Sequence, residues 1–253
     1  MNIGILTYHN SVNFGAYLQC LATQEVIKEL GHSSLVINYK SKEHSKKEFK
    51  SLFFTKRPRI LYDNFRKYLK FRDTQKLLTL SDSIEVIDPI LDVKVDAIII
   101  GSDELWNFKN DMFGYDPVYY GVGLEKFPLI AYAGCVGKIT STDKFPDDAV
   151  NALKNFRSIS ARDVNTQNII KNITDIDCPL VVDPTFLFDF GDKIIEPDLD
   201  NYIVFYGIFL SEEHVSQLQK FAKVNNLTLI SIGYQIPFVE KSIVNINAFE
   251  WMG

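Results

Sequence analysis

Apolar and polar positions alternate along the chain in blocks that predict strands and helices in turn. Ile3-Gly4-Ile5-Leu6 is a short apolar run of the buried-strand kind, followed by the polar loop Thr7 to Gly15. Ala16, Leu18, Leu21, Ala22, Val26, Ile27 and Leu30 then recur at near-helical spacing, and Gly31-His32 closes that helix as a glycine cap. Ser34 to Asn38 reads as the next strand. Val95 to Ile100 is an apolar strand that breaks on Gly101-Ser102-Asp103. Pro128 to Ala133, Ser158 to Ala161 and Leu180 to Pro184 repeat the form, with helices expected over 149–156 and 163–172. Beyond a turn-rich break at 190–198, a second alternation starts: strand 202–206, helix 211–224, strand 227–232.

Buried strands alternating with helices predict an α/β fold with a parallel sheet, a Rossmann-like first domain over 1–190. Residues 191–253 read as the start of a second Rossmann-like domain, incomplete because two strands and one helix cannot cover two sheet faces. In a parallel sheet the loops at the strands' carboxyl ends open on one side, where α/β proteins bind ligands. Four such loops hold most of the unusual polar residues: 8–15, 101–107, 134–137 and 160–163.

Composition and charge narrow the function. The chain has 253 residues, 46% hydrophobic and 23% charged, a globular composition. Its net charge of −5 offers no overall nucleic-acid footprint. Residues 40–76 stand apart, with thirteen Lys/Arg against four acids, so the segment carries +9 and the remainder −14. Ile60, Leu61, Phe65, Tyr68, Leu69 and Phe71 run through its second half as an apolar stripe. Such a cationic amphipathic insertion can hold an anionic polysaccharide or lie on the inner face of a membrane, or it can be a solvated helical excursion. No run reaches the roughly 20 apolar residues of a membrane helix. The three separated cysteines, Cys20, Cys135 and Cys178, suit a reduced, cytoplasmic protein.

The loops carry the candidate chemistry. No G-x-G-x-x-G or Walker sequence is present, so nucleotide cofactors are unsupported, and the four histidines show no metal spacing. Asn13 and Gly15 precede a helix whose backbone N–H groups can hold an anion or simply be capped. Ser102 or Asp103 can cap a helix, while Trp106 beside acids and Asn107 suits a sugar ring, or the core. Arg162 at a strand end suits a bidentate grip on carboxylate or phosphate, or an ion pair with Asp163 or Asp183. His9 is the one plausible catalytic imidazole.

These pieces, in order, resemble the polysaccharide pyruvyl transferase family: Ile5 to Asn10 through Asn13 to Gln19, Gly101 to Asn107, Tyr132 to Gly137, Ser160 to Asp163, and Val182 to Thr185. Asn247 to Trp251 is similar to the segment before a later family motif. The resemblance implies a glycosyltransferase-B-like architecture of two Rossmann-like domains. It implies transfer of the enolpyruvyl group of phosphoenolpyruvate onto two hydroxyls of a sugar, or of a lipid-linked oligosaccharide, as a pyruvate ketal, with no cofactor and no metal. Arg162 and Asp103 would be catalytic; Arg162, Asn13 and Gly15 would bind donor; His9, Asn13, Ser102, Asp103 and Trp106 would line the acceptor side. The family's Phe-His-Gly-Thr-like motif does not occur before Gly253, so this chain is expected to be an inactive fragment. A nucleotide-sugar glycosyltransferase and a non-catalytic glycan-binding module are the alternative classes.

Overall fold

A computed structural model describes residues 1–253 as two compact units, residues 1–51 with 75–189 and residues 52–74 with 190–253. The first is α/β and Rossmann-like. Its sheet has five parallel strands, β1 (Asn2–Leu6), β2 (Ser33–Val36), β3 (Ala97–Ile100), β4 (Leu129–Gly134) and β5 (Ser158–Ala161), in the order β2-β1-β3-β4-β5. The order reverses at β1, so the loops after β1 and β3 face the crevice such a reversal opens.

Register sets neighbouring apolar side chains side by side: Ile5 opposite Ile99, Ile100 opposite Ala131, Ala131 opposite Ile159. Both faces of the sheet are covered, which is why these strands are nearly continuous apolar runs. Helix α1 (Phe14–Glu29) is buried around most of its circumference, including Tyr17, Leu18, Cys20, Leu21 and Ala22. Asn13 caps its start by accepting from the Ala16 N–H, and Gly31 leaves it at φ +81°, in the left-handed region that a side chain resists. Helix α2 (Lys42–Phe53) follows β2, and α3 (Pro58–Thr74) begins beyond it; α4 (Asp88–Leu91) precedes β3. Helices α5 (Asp147–Leu153) and α6 (Val164–Thr174) flank β5, and Asp163 caps α6 through the Thr166 N–H.

The structure differs from the sequence expectation in the first unit and in the basic segment. Residues 180–184 are not a strand: Leu180 makes a single parallel bridge to Ala161, and Asp183-Pro184 turns the chain into a 3-10 turn capped by Asp183. The basic segment holds two helices, α2 and α3, where periodicity indicated only the second. Residues 52–74 of that segment also group with the second unit rather than the first. Within that unit Lys70 pairs with Glu250 at 2.9 Å, and the Lys67 ammonium sits 5.2 Å from the Tyr234 ring centroid.

The second unit carries β6 (Tyr202–Phe205), β7 (Thr228–Ile232) and β8 (Lys241–Ile243), all parallel, with α7 (Glu212–Val224) and α8 (Ala248–Met252). Strand β8 was not foreseen, because three residues offer too little alternation to read. Ser211 caps α7 by accepting from the His214 N–H, and Asn247 with Glu250 forms a reciprocal capping box on α8. No helix is long and apolar enough to cross a membrane.

Gly101, at the end of β3, has φ +126°, and a Cβ there would lie 2.3 Å from the Tyr132 carbonyl oxygen. Gly31 also has positive φ but nothing within 4 Å. Gly31→Ala should therefore cost about 1 kcal/mol, the backbone strain alone, whereas Gly101→Ala adds a clash with backbone and should cost at least about 3 kcal/mol. Urea unfolding of the two variants checks this, and equal losses would contradict it.

Candidate active site

The carboxyl edge of the first unit's sheet carries a continuous chain of polar contacts, and its centre is a carboxylate. Asp183 Oδ1 accepts from the Thr185 N–H at 3.0 Å and the Thr185 hydroxyl at 2.8 Å. Asp183 Oδ2 accepts from Ser102 Oγ at 2.9 Å and from Arg162 Nη1 at 3.0 Å. Burial pushes the Asp183 carboxyl up, but these four donors outweigh it and hold the group below the ordinary carboxylate range.

The chain continues through Gln19, on α1. Gln19 Oε1 accepts from the Ser102 N–H at 3.0 Å, and its Nε2 donates to Thr7 Oγ1 at 2.8 Å and to the Ala16 carbonyl at 2.7 Å. Thus the loops after β1 and β3, helix α1, the end of β5 and the turn at 183–186 are tied by side chains of which Thr7, Gln19 and Ser102 are buried and Thr185, Asp183 and Arg162 partly so. Buried polar groups must be paired, so this network fixes the loops' geometry.

Arg162 is the member that faces outward, with 29% of its side chain exposed. Its backbone N–H donates to the Gly134 carbonyl at 3.0 Å, which sets the start of the side chain. Of the two sequence-stated partners for the guanidinium, Asp183 is the one it meets. Asp163 is engaged elsewhere, accepting from Thr166 N–H and hydroxyl and from Cys135 Sγ at 3.3 Å. A guanidinium has five N–H donors, and the contact with Asp183 uses one through a single nitrogen. A fixed, partly exposed cation with donors to spare can receive a carboxylate or phosphate.

Asp103 lies next to this group. Burial raises its carboxyl above the ordinary value, and the nearby Glu104 and Asp183 carboxylates add to that. The Glu104 N–H, which Asp103 Oδ1 accepts at 2.7 Å, and the Arg162 charge oppose it. A carboxylate made more basic by burial is suited to taking a proton from a hydroxyl.

The remaining expected site residues divide. Asn13 and Gly15 are exposed at the start of α1, where the first-turn amides emerge with no acid in that turn. Ser102 is fully buried and serves as the link between Gln19 and Asp183. Two residues read as acceptor contacts need correction. His9 is fully buried, with Nδ1 against the Thr7 carbonyl at 3.1 Å and Nε2 against Asn38 Oδ1 at 3.0 Å, so neither nitrogen is left for a ligand. Burial, ahead of the Lys40 charge, lowers its pKa from the ordinary value, against the Thr7 and Asn38 contacts that raise it. Trp106 is a core residue, 1% exposed, its Nε1–H donated to the Tyr119 carbonyl at 3.1 Å. The indole lies directly on Gly134, where a Cβ would come within 2.4 Å of it, so no ring face is open to a sugar.

A second set of residues, unread in the sequence, holds the loop after β1 from α2. Glu48 Oε1 accepts from the Val12 N–H at 2.9 Å and its other oxygen pairs with Lys40, whose ammonium also donates to the Asn10 carbonyl. Ser11 Oγ meets His44 Nε2 at 3.2 Å, and burial together with Lys40 and Lys47 lowers the His44 pKa to about 3. The only sequence signal was Glu48 itself, one of four acids within thirteen cations. No group of three or more His, Cys, Asp or Glu side chains is placed to hold a metal ion.

A family model described as polysaccharide pyruvyl transferase matches residues 13–248. A search of curated proteins finds no match.

The folded chain holds the Asp103 proton to higher pH than the unfolded chain does. Between about pH 3.9, the unfolded value, and the raised folded value, stability therefore falls as pH rises. Asp103→Asn keeps the acceptor for the Glu104 N–H and removes that slope. Thermal unfolding followed from about pH 4 to 8 should show the variant gaining on the parent as pH rises through that window, then holding a constant advantage. Parallel curves would contradict the burial argument.

Proposed function

The chain belongs to the polysaccharide pyruvyl transferase family, and from that premise we propose that its first unit supplies the donor site of an enzyme that moves the enolpyruvyl unit of phosphoenolpyruvate onto two hydroxyls of a sugar. The family is one of transferases with a sugar or polysaccharide acceptor. The observation that carries the donor assignment is Arg162, anchored by Asp183 yet partly open at the sheet's carboxyl edge. Phosphoenolpyruvate has a carboxylate and a phosphate on a three-carbon frame, and a planar guanidinium matches either group. The exposed start of α1 offers the Gly15 N–H to the other anion, while the Asn13 N–H is already donated to the Ser11 carbonyl and the Ala16 N–H to the Asn13 side chain.

The bond changes set what the site must supply. A proton adds to the methylene carbon of the donor, which becomes a methyl group, and a first sugar hydroxyl oxygen bonds to C2. The C2–O bond to phosphate then breaks, phosphate leaving with the electron pair, and a second hydroxyl oxygen bonds to C2. Of the two protons released by the hydroxyls, one balances that added to the methylene and the other leaves with phosphate. Positive charge builds at C2 as phosphate departs, so anions held around the carbon and cations on the leaving group lower the barrier. Arg162 has the second role, and Asp103 the role of accepting the proton of an incoming hydroxyl. Holding both reactants in one orientation supplies the rest.

Two further features support this reading. The parallel sheet β6-β7-β8 suits a second Rossmann-like domain of a glycosyltransferase-B-like enzyme. The stripe of Leu61, Tyr62, Phe65 and Leu69 on α3, exposed beside Arg59 and Arg66, suits a cytoplasmic protein that meets lipid-linked oligosaccharide at the inner face of a membrane.

Phosphoenolpyruvate should raise the thermal midpoint of this protein, and Arg162→Ala should abolish the shift. Arg162→Lys keeps the charge but not the fork, and should weaken binding by about tenfold, the loss of one charge-assisted hydrogen bond. Protection by a nucleotide-sugar but not by phosphoenolpyruvate, or an unchanged shift in Arg162→Ala, would overturn the proposal.

A further inference from the structure

A cleft of about 550 Å³ in the first unit, between α2 and the loops after β3 and β4, is lined by Lys47 and Lys50 from α2 and by Lys109, Lys138 and Asn107 from those loops. Four ammonium groups gather here in a chain whose net charge is −5. Two carboxylates share the lining, Glu104 and Asp111. Glu104 is committed inward, accepting from Asn107 Nδ2 at 2.8 Å. Lys47 pairs with Glu43 at 3.0 Å and Lys109 with Asp143, both outside the lining. Lys50 and Lys138 have no carboxylate at ion-pair distance and are exposed. Two of the four ammonium groups, Lys50 and Lys138, are thus unpaired against one uncommitted lining acid, Asp111, and an anion beside those two lysines relieves their repulsion.

Asn107 supplies a second, independent signal. The residue is 3% exposed, and the Glu104 contact fixes which end of its amide is nitrogen. That leaves Oδ1 buried with no hydrogen-bond donor. An unpaired buried acceptor costs about 1–3 kcal/mol, which a ligand O–H or N–H would recover. Gly137 keeps the wall beside it thin: a Cβ there would lie 2.5 Å from Glu104 Oε2 and 2.6 Å from Asn107 Nδ2.

We propose that this cleft binds an anionic saccharide, its phosphate or carboxylate held by Lys50 and Lys138 and a hydroxyl donated to Asn107 Oδ1. The lysines require the anion and the orphaned carbonyl requires a donor; a sugar carrying a phosphate or an acid group has both on one small frame. The saccharide half rests on the acceptor assignment made above, while the anion half does not. As an acceptor subsite the cleft would favour sugars already joined to phosphate or to an acidic residue over neutral ones.

Titration calorimetry of the full chain with glucose 1-phosphate, inorganic phosphate and methyl glucoside tests this. Glucose 1-phosphate should bind at least about tenfold more tightly than either of the others, because it alone satisfies both groups. Binding should weaken as salt rises. The double variant Lys50→Glu with Lys138→Glu reverses two exposed charges without touching the core, and should lose at least tenfold in affinity for the sugar phosphate. Phosphoenolpyruvate binding, measured in parallel, should survive in that variant, since its contacts lie at Arg162. Glucose 1-phosphate that fails to bind the parent chain, binds no better than phosphate, or binds the double variant equally well overturns the inference. If phosphoenolpyruvate fails to bind while glucose 1-phosphate behaves as stated, it is the donor assignment that falls and this cleft that stands.

Discussion

A carboxylate withdrawn from water has to be compensated, and the carboxyl edge of this sheet is organised around one such group. Asp183 is 16% exposed at its side chain and takes four hydrogen bonds from three residues. Those residues come from different parts of the chain: Thr185 from the turn itself, Ser102 from the end of β3, Arg162 from the end of β5. Ser102 passes the constraint to Gln19, and Gln19 to Thr7. The loops could not shift independently without leaving a buried donor or acceptor unpaired, at about 1–3 kcal/mol each. Rigidity at the sheet edge is thus a consequence of polar satisfaction rather than of apolar packing.

The same arrangement makes Arg162 both structural and available. Its contact with Asp183 through one nitrogen, with the Cys135 thiol as a second side-chain partner, holds the guanidinium in place, and the side chain keeps some access to solvent. A free surface arginine would lose rotamer entropy on gripping an anion; one already fixed loses little. Asp103 is placed beside it under the opposite pressure, since burial makes that carboxylate a stronger base while the neighbouring cation restrains the effect. Two acids within one group of loops are therefore driven apart in pKa, Asp183 down by its donors and Asp103 up by burial.

Much of the first unit was legible because its signals are local. Asn13 and Gly31 mark the two ends of α1, Asp163 marks the start of α6, and the apolar runs at 97–100, 129–134 and 158–161 are strands because helices cover both faces. Arg162 and Asp183 were readable as a pair, since each follows a strand-like run, but the choice between Asp163 and Asp183 needed the fold. Trp106 misled for a physical reason: polar neighbours in sequence do not reveal that the indole packs into the core, onto Gly134. Gln19 and Glu48 left almost no trace. Each acts on a partner far along the chain, Ser102 and Val12 respectively, and a polar residue on a mostly apolar or basic helix has no period of its own. The lysine cleft joins Lys47 and Lys50 of α2 to Lys109 and Lys138, on two later loops far along the chain, a separation that charge counting alone does not bridge.

Crystals of the protein soaked with phosphoenolpyruvate give the most direct view of the central assignment. The account predicts a donor oxygen, from carboxylate or phosphate, within hydrogen-bond distance of the Arg162 guanidinium, with the Asp183 contact retained behind it. Density for the ligand elsewhere, with Arg162 holding Asp183 alone, would contradict it.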